Sequence, residues 1–276
     1  MNNAFRLQRF ILLLRKHWSG NRKRYGLSVL AYMGLLTIWF GFIILTDSQD
    51  PLAEGLQQVS YVFPLLVTGA IYASQFFSAL GSGPKAIAYL MVPASSLEKF
   101  LCALFYSVVA FFVVYTLAFY VVDAVVVALA NRSLPSYTEA TNGIIPRKAR
   151  IANLFVSNDL AGPSMNAKLF FLFLVIQSTF LLGSVYFAQY SLVKTAISSF
   201  LVVAFFAAMI HVFTNSVMPN GGYYDITSFR IFNQEGRTVL VQTPGWSRVL
   251  VGALLTYGLP PFFWIATYFR LKEKQV

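Results

Sequence analysis

Charge is scarce in this chain. Only 11% of its 276 residues are Asp, Glu, Lys or Arg, where soluble domains carry about a quarter. The ten acids are scattered, which argues against a paired-carboxylate hydrolase. The two histidines, His17 and His211, stand far apart and outside any His-Glu-x-x-His pattern. The single cysteine, Cys102, excludes an intramolecular disulfide and a cysteine metal cluster; it reads as a small apolar helix residue. No Gly-x-x-x-x-Gly-Lys-Ser/Thr loop is present, so the chain does not hydrolyse ATP by that route, and no Gly-x-Ser-x-Gly elbow offers a nucleophile. An enzyme of phosphate esters at a membrane would gather Asp, His or Glu near one interface, and no such cluster is visible.

What the chain has is apolar length. Hydrophobic residues make up 57% of it, gathered in runs of the 18 or more residues that a helix needs to cross a hydrocarbon core of about 30 Å. Six spans are predicted, at about 27–45, 59–80, 101–129, 169–190, 196–213 and 249–269. The expected fold is therefore an all-α integral membrane protein with one transmembrane domain, 27–276. Residues 1–26 precede it as a basic amphipathic helix and linker. Within 4–18, Leu7, Phe10, Ile11, Leu14 and Trp18 recur at helical spacing while Arg9, Arg15 and Lys16 fall mostly elsewhere, the pattern of a helix lying in the membrane interface. The first apolar run begins near Leu27 and reads as a span rather than a secretory signal.

The net charge of +11 sits mainly at the edges of the apolar runs, which marks topology and attraction to anionic lipid rather than nucleic-acid binding. With a cytoplasmic N-terminus the inner segments carry 13 Lys and Arg against 8 in the longer outer ones. Both termini are accordingly expected inside.

Punctuation places the remaining elements. Gly81-Ser82-Gly83-Pro84 breaks the chain after span two. Ser95-Ser96-Leu97-Glu98 is a capping box, with Ser95 capping a new helix and Glu98 reaching back to the Ser95 backbone N–H. Two long loops, 130–168 and 214–248, face outward. In the second, Arg230–Phe232 and Thr238–Val241 flank Asn233-Gln234-Glu235-Gly236 and predict a small hairpin. Pro260-Pro261 predicts a kink in the last span. Among intramembrane polar groups, Asp123 and His211 are candidates for a transport path or gate because charge is expensive in hydrocarbon. Both count out to near the outer interface, where reaching headgroup water or pairing is the alternative. Gln75, a further path candidate, and Gln177 and Gln189 suit interhelical hydrogen bonds.

In this order, the features resemble the permease subunit of a bacterial type-2 ABC exporter. The most specific stretch is Leu90-Met91-Val92-Pro93-Ala94-Ser95-Ser96-Leu97-Glu98-Lys99-Phe100, similar to the L-x-x-P-x-S-x-x-E-K-F segment at this position in many such permeases. The short basic ending Arg270-Leu271-Lys272-Glu273-Lys274 is also similar. The resemblance implies that ATP and Mg bind a separate ATPase subunit, that this chain is not itself an enzyme, and that it works in the bacterial inner membrane. It implies a second permease, as homodimer or paralogue, alternating access, and coupling through 83–99, with Lys85, Tyr89, Glu98 and Lys99 as contact residues. The abundant aromatics fit an amphipathic cargo, or simply packing. One departure from that family is residues 214–245, which read as an external turn rather than short re-entrant helices. Two other classes stay open on the residues alone: a non-transporting membrane scaffold, and a lipid-modifying enzyme using Asp123 or His211.

Overall fold

The computed structural model describes residues 5–46, 52, 54–81, 83–133, 150–151, 165–187, 189–217, 221–225, 228–232, 238–242 and 244–274. Six of its helices are long and apolar enough to cross a membrane: Leu7–Thr46, Gly55–Phe76, Ser96–Arg132, Lys168–Tyr186, Ser191–Phe213 and Gly245–Glu273. Each contains one of the expected apolar runs or most of it. Most of the 130–168 loop and the Asn233–Gly236 turn lie outside the described residues.

The first helix departs from expectation. α1 (Leu7–Thr46) is one element of 40 residues, about 60 Å at 1.5 Å per residue. The linker expected around 19–26 is helix as well. No proline interrupts it, its Arg and Lys residues are good helix formers, and Gly20 and Gly26 each cost only about 1 kcal/mol in a helix interior.

α2 (Glu54–Phe76) follows, then a 3₁₀ turn at Ser78–Gly81 and the short α3 (Gly83–Leu90). The third long helix is composite. α4 (Ser96–Leu104) passes through a π turn, Phe105–Ala110, into α5 (Phe111–Ser133). α6 (Met165–Tyr186) and α7 (Ser191–Val217) are joined by a tight turn. The last long helix is composite too: α8 (Gly245–Ala253), a π turn at Leu254–Gly258, then α9 (Leu259–Glu273). The Pro260-Pro261 pair lies directly after the π turn within this composite helix, so the irregularity falls just before the prolines.

Between α7 and α8 the expected hairpin is present and enlarged. Strands β1 (Gly221–Asp225), β2 (Ser228–Phe232) and β3 (Thr238–Gln242) form an antiparallel sheet in the order β1-β2-β3. Ser228 is registered on Gln242 and Phe232 on Thr238. Among the described residues the helical body thus carries one three-stranded sheet where the sequence predicts a two-stranded hairpin.

Aromatic packing holds the bundle. Leu36 and Phe40 of α1, Tyr61 and Leu65 of α2, Tyr115 and Phe119 of α5, and Phe173 of α6 form one buried cluster. Its rings meet face-on or edge-on, as Tyr32 on Tyr115 at 4.5 Å and Tyr61 against Phe119 at 5.1 Å. Polar tips are absorbed locally: Tyr115 donates to the Tyr61 carbonyl at 2.7 Å, and Trp39 donates to Ser60 Oγ at 3.0 Å. Gln57 ties the chain just before α2 to Arg150 by donating to the carbonyls of Leu52 and Arg150.

A second cluster closes the opposite end: Phe77, Phe100, Ala103, Leu181, Val185 and Leu271. Here Phe100 meets Tyr268 edge-on at 5.9 Å, and Lys274 Nζ donates to the Val185 carbonyl at 2.5 Å, tying the end of α9 to the end of α6. The start of α1 reaches this same end through Glu98. Both described chain ends therefore lie at one end of the bundle, as an even number of crossings requires.

Candidate functional site

The end of the bundle that holds both chain ends is also where the distinctive Pro-x-Ser-x-x-Glu-Lys-Phe stretch lies. Its local geometry follows from the capping box. Ser95 adopts the extended backbone of an N-cap, its Oγ accepts from the Glu98 N–H at 3.2 Å, and Glu98 Oε2 accepts from the Ser95 N–H at 2.9 Å. Two orphan amides at the start of α4 are thereby satisfied reciprocally.

Glu98 does more than cap. Its other oxygen, Oε1, accepts from the Arg6 backbone N–H at 2.9 Å and from Arg9 Nη2 at 3.1 Å. The carboxylate is wholly buried, while Arg9 remains a third exposed. A buried carboxylate is tolerable when charge and hydrogen bonds compensate its desolvation, and here three donors from two helices converge on it. The same carboxylate thus starts α4 and fastens α1 to it.

Lys99 is buried as well. Its ammonium lies over the Tyr89 ring at 5.4 Å from the centroid, and Tyr89 in turn meets Phe77 edge-on. Tyr89 therefore faces inward and holds α3 against the 3₁₀ turn and α4. Burial pushes its phenol above the usual range, so it is neutral.

Of the residues that the resemblance implies as partner contacts, Glu98 and Lys99 are buried and Tyr89 is half-buried. In the folded chain they face one another and α1, and the surface they leave exposed is different. The side chain of Lys85 lies outside the described residues. Pro84, Ile87, Ala88 and Met91 are exposed, at spacings that place them on one side of α3. Leu97 is exposed just beyond. Met91 at 78% and Ile87 at 60% make this an apolar ridge presented outward from a rigid mount.

Family models, curated proteins and solved structures were compared with the chain. None matches. The site is accordingly read from its own geometry.

The three path candidates do not share a site. Gln75 is exposed near the end of α2, where its carbonyl accepts from the Arg24 guanidinium. His211 is exposed toward the far end of α7, at the opposite end of the bundle. Asp123 is fully buried on α5. Among the described residues no group of three or more His, Cys, Asp or Glu gathers to hold a metal.

Two features were not legible beforehand. One is the aromatic seam around His17, whose ring stacks on Phe76 at 5.0 Å, lies 4.5 Å from Tyr106, and shares a 2.6 Å hydrogen bond with the Tyr25 hydroxyl. With Arg24 on Gln75 and the Tyr106 hydroxyl on the Leu14 carbonyl at 2.9 Å, it seals the first half of α1 onto α2 and the third helix. Only the 3.6-residue spacing of Leu14, His17, Asn21 and Tyr25 on one face signals it. The other is the close approach of α6 and α7, where a Cβ on Gly183 would fall 1.9 Å from Thr195 Oγ1.

Proposed function

We propose that this chain is the permease subunit of an ATP-driven exporter in the bacterial inner membrane, moving an amphipathic substrate by alternating access. The observation that carries the reading is the mounted ridge on α3. A short helix outside the long spans turns Ile87, Ala88 and Met91 outward and Tyr89 inward, and is braced through Lys99 and Glu98 onto α4 and α1. Such a ridge fits a groove on a soluble subunit, and its bracing passes displacement to two long helices at once. Without a phosphate loop of its own, this chain takes its energy from that subunit, which binds ATP and Mg.

The dimeric part of the reading is supported by α7. Every residue from Phe200 to Phe213 is exposed, and a second permease copy is the proposed neighbour of this apolar stretch. The excess of Lys and Arg at one end of the bundle supports a cytoplasmic reading of that end.

Affinity purification of the tagged chain from gently solubilised membranes, followed by mass spectrometry, tests this reading. It expects a stoichiometric ATP-binding subunit that is lost from Ile87→Asp/Met91→Asp and kept in Lys272→Glu. Recovery of the chain alone, or of a partner indifferent to the ridge, moves the assignment to a scaffold.

A further inference from the structure

The third long helix does not run as uninterrupted α-helix. Between α4 and α5, Phe105–Ala110 forms a π turn, a feature that recurs at functional positions in helices. The Phe111 N–H donates to the carbonyls of Tyr106, five residues back, and Val108, three back. It passes over the Ser107 carbonyl, four back, which an α-helix would use.

That carbonyl is taken from outside. Gln177 of α6 donates its Nε2 to it in a buried, short hydrogen bond. Gln177 and Ser107 are both fully buried. Room for the amide comes from Gly69 of α2, where any Cβ would stand 3.1 Å from Gln177 Oε1 and 3.0 Å from the Phe173 ring. Gln177 thus stands where the Phe111 amide would otherwise bond.

The arrangement leaves two groups unsatisfied, Gln177 Oε1 and Ser107 Oγ. Most buried hydroxyls of the long helices are bonded, Ser191 and Thr195 of α7 being, like Ser107, without a partner. Thr68, Ser74, Ser178, Thr179, Ser184, Ser198 and Thr267 all donate to their own helix three or four residues back. Ser107, on the π turn, does not. In an α register the Phe111 N–H would recover the Ser107 carbonyl, and the Ser107 hydroxyl would be offered the same ordinary back-bond.

We propose that Phe105–Ala110 is a register switch in which the Gln177 side chain and the Phe111 amide compete for the Ser107 carbonyl. With Gln177 bonded, the turn is π; with Gln177 released, it closes to α. Each residue of register turns the helix by about 100°, so the switch rotates the α4 foot, which bears Glu98 and Lys99, against α5. The competition is built into this chain and does not depend on an ATPase partner. It can stand if the transporter reading fails, and fail if that reading stands.

The test places spin labels at Leu97→Cys and Val113→Cys, both exposed positions flanking the turn, in a Cys102→Ala background. Distances are measured with Gln177 and with Gln177→Met, which keeps side-chain length and removes the donor. The expected result is a shift of the main distance by about 4 Å in Gln177→Met, given the rotation per residue, and none in Ser107→Ala, whose carbonyl is intact. Superimposable distributions for Gln177 and Gln177→Met overturn the proposal. If Gln177→Met does not fold, hydrogen exchange on the native chain decides instead. Amides of 105–111 should exchange faster than those of 113–121, and equal protection overturns the switch.

Discussion

Arg9 and Glu98 lie 89 residues apart in the chain, and the guanidinium of one reaches the carboxylate of the other at 3.1 Å. The contact joins the first turn of α1 to the first turn of α4 at the point where α4 is capped, so one side chain answers for a helix start and a helix–helix clamp. Removing the cap alone, in Ser95→Ala, should cost about 1 kcal/mol. Glu98→Ala should cost more, because the cap goes and donors of α1 are left without their acceptor. Glu98→Gln should behave almost as badly, since its amide NH₂ would face donors. A double-mutant cycle of Arg9→Met and Glu98→Ala, read by thermal unfolding in detergent, should give a coupling of about 1–2 kcal/mol. Additive losses would mean the clamp does not hold α1.

Gly183 permits the closest helix–helix approach among the described residues' glycines. A Cβ there would meet Thr195 at 1.9 Å from Oγ1 and 2.8 Å from Cβ. Gly183→Ala is expected to lower stability by about 3 kcal/mol or more, at the upper end of overpacking costs, with partial rescue by Thr195→Ala. Gly34→Ala, where nothing lies within 4 Å, should be neutral or slightly stabilising. Comparable melting shifts for the two substitutions would contradict the packing of α6 on α7.

Tyr190 is the one non-glycine with positive φ among the described residues, at 53°, and it is 78% exposed. An L side chain in this region costs about 1–2 kcal/mol. Tyr190→Gly should therefore raise stability by about 1 kcal/mol, less the added freedom of the unfolded chain, and Tyr190→Val should lower it. Because a strained, exposed aromatic at a tight turn is retained against stability, a loss of activity in a stabilised Tyr190→Gly variant would assign it a contact role. Unchanged melting in both variants would deny the strain.

Local pattern carried the sequence reading where one element suffices. The spans follow from apolar length, the α4 start from Ser95 and Glu98 at capping-box spacing, and the β2–β3 hairpin from two short apolar runs around Asn233–Gly236. Long-range facts were out of reach. Nothing near Glu98 in sequence announces that Arg6 and Arg9 will bond to its buried carboxylate. The continuity of α1 depends on helix formers overriding four glycines, a sum of small terms with no signature residue. The π turns have no periodicity that distinguishes them from ordinary apolar helix. Gln177 was legible as an interhelical hydrogen bond, but its acceptor, a backbone carbonyl 70 residues away, was not.

The central claim is that the outward ridge of α3 docks a soluble ATPase, and site-directed photocrosslinking in native membranes tests it most directly. A photoreactive residue replaces Met91, the most exposed side chain of the ridge at 78%, and in a control replaces Val121 on the exposed flank of α5. The account predicts an adduct between Met91 and an ATP-binding subunit, absent at Val121 and sensitive to nucleotide. An adduct only with lipid at Met91, or the same protein adducts at both positions, would contradict it.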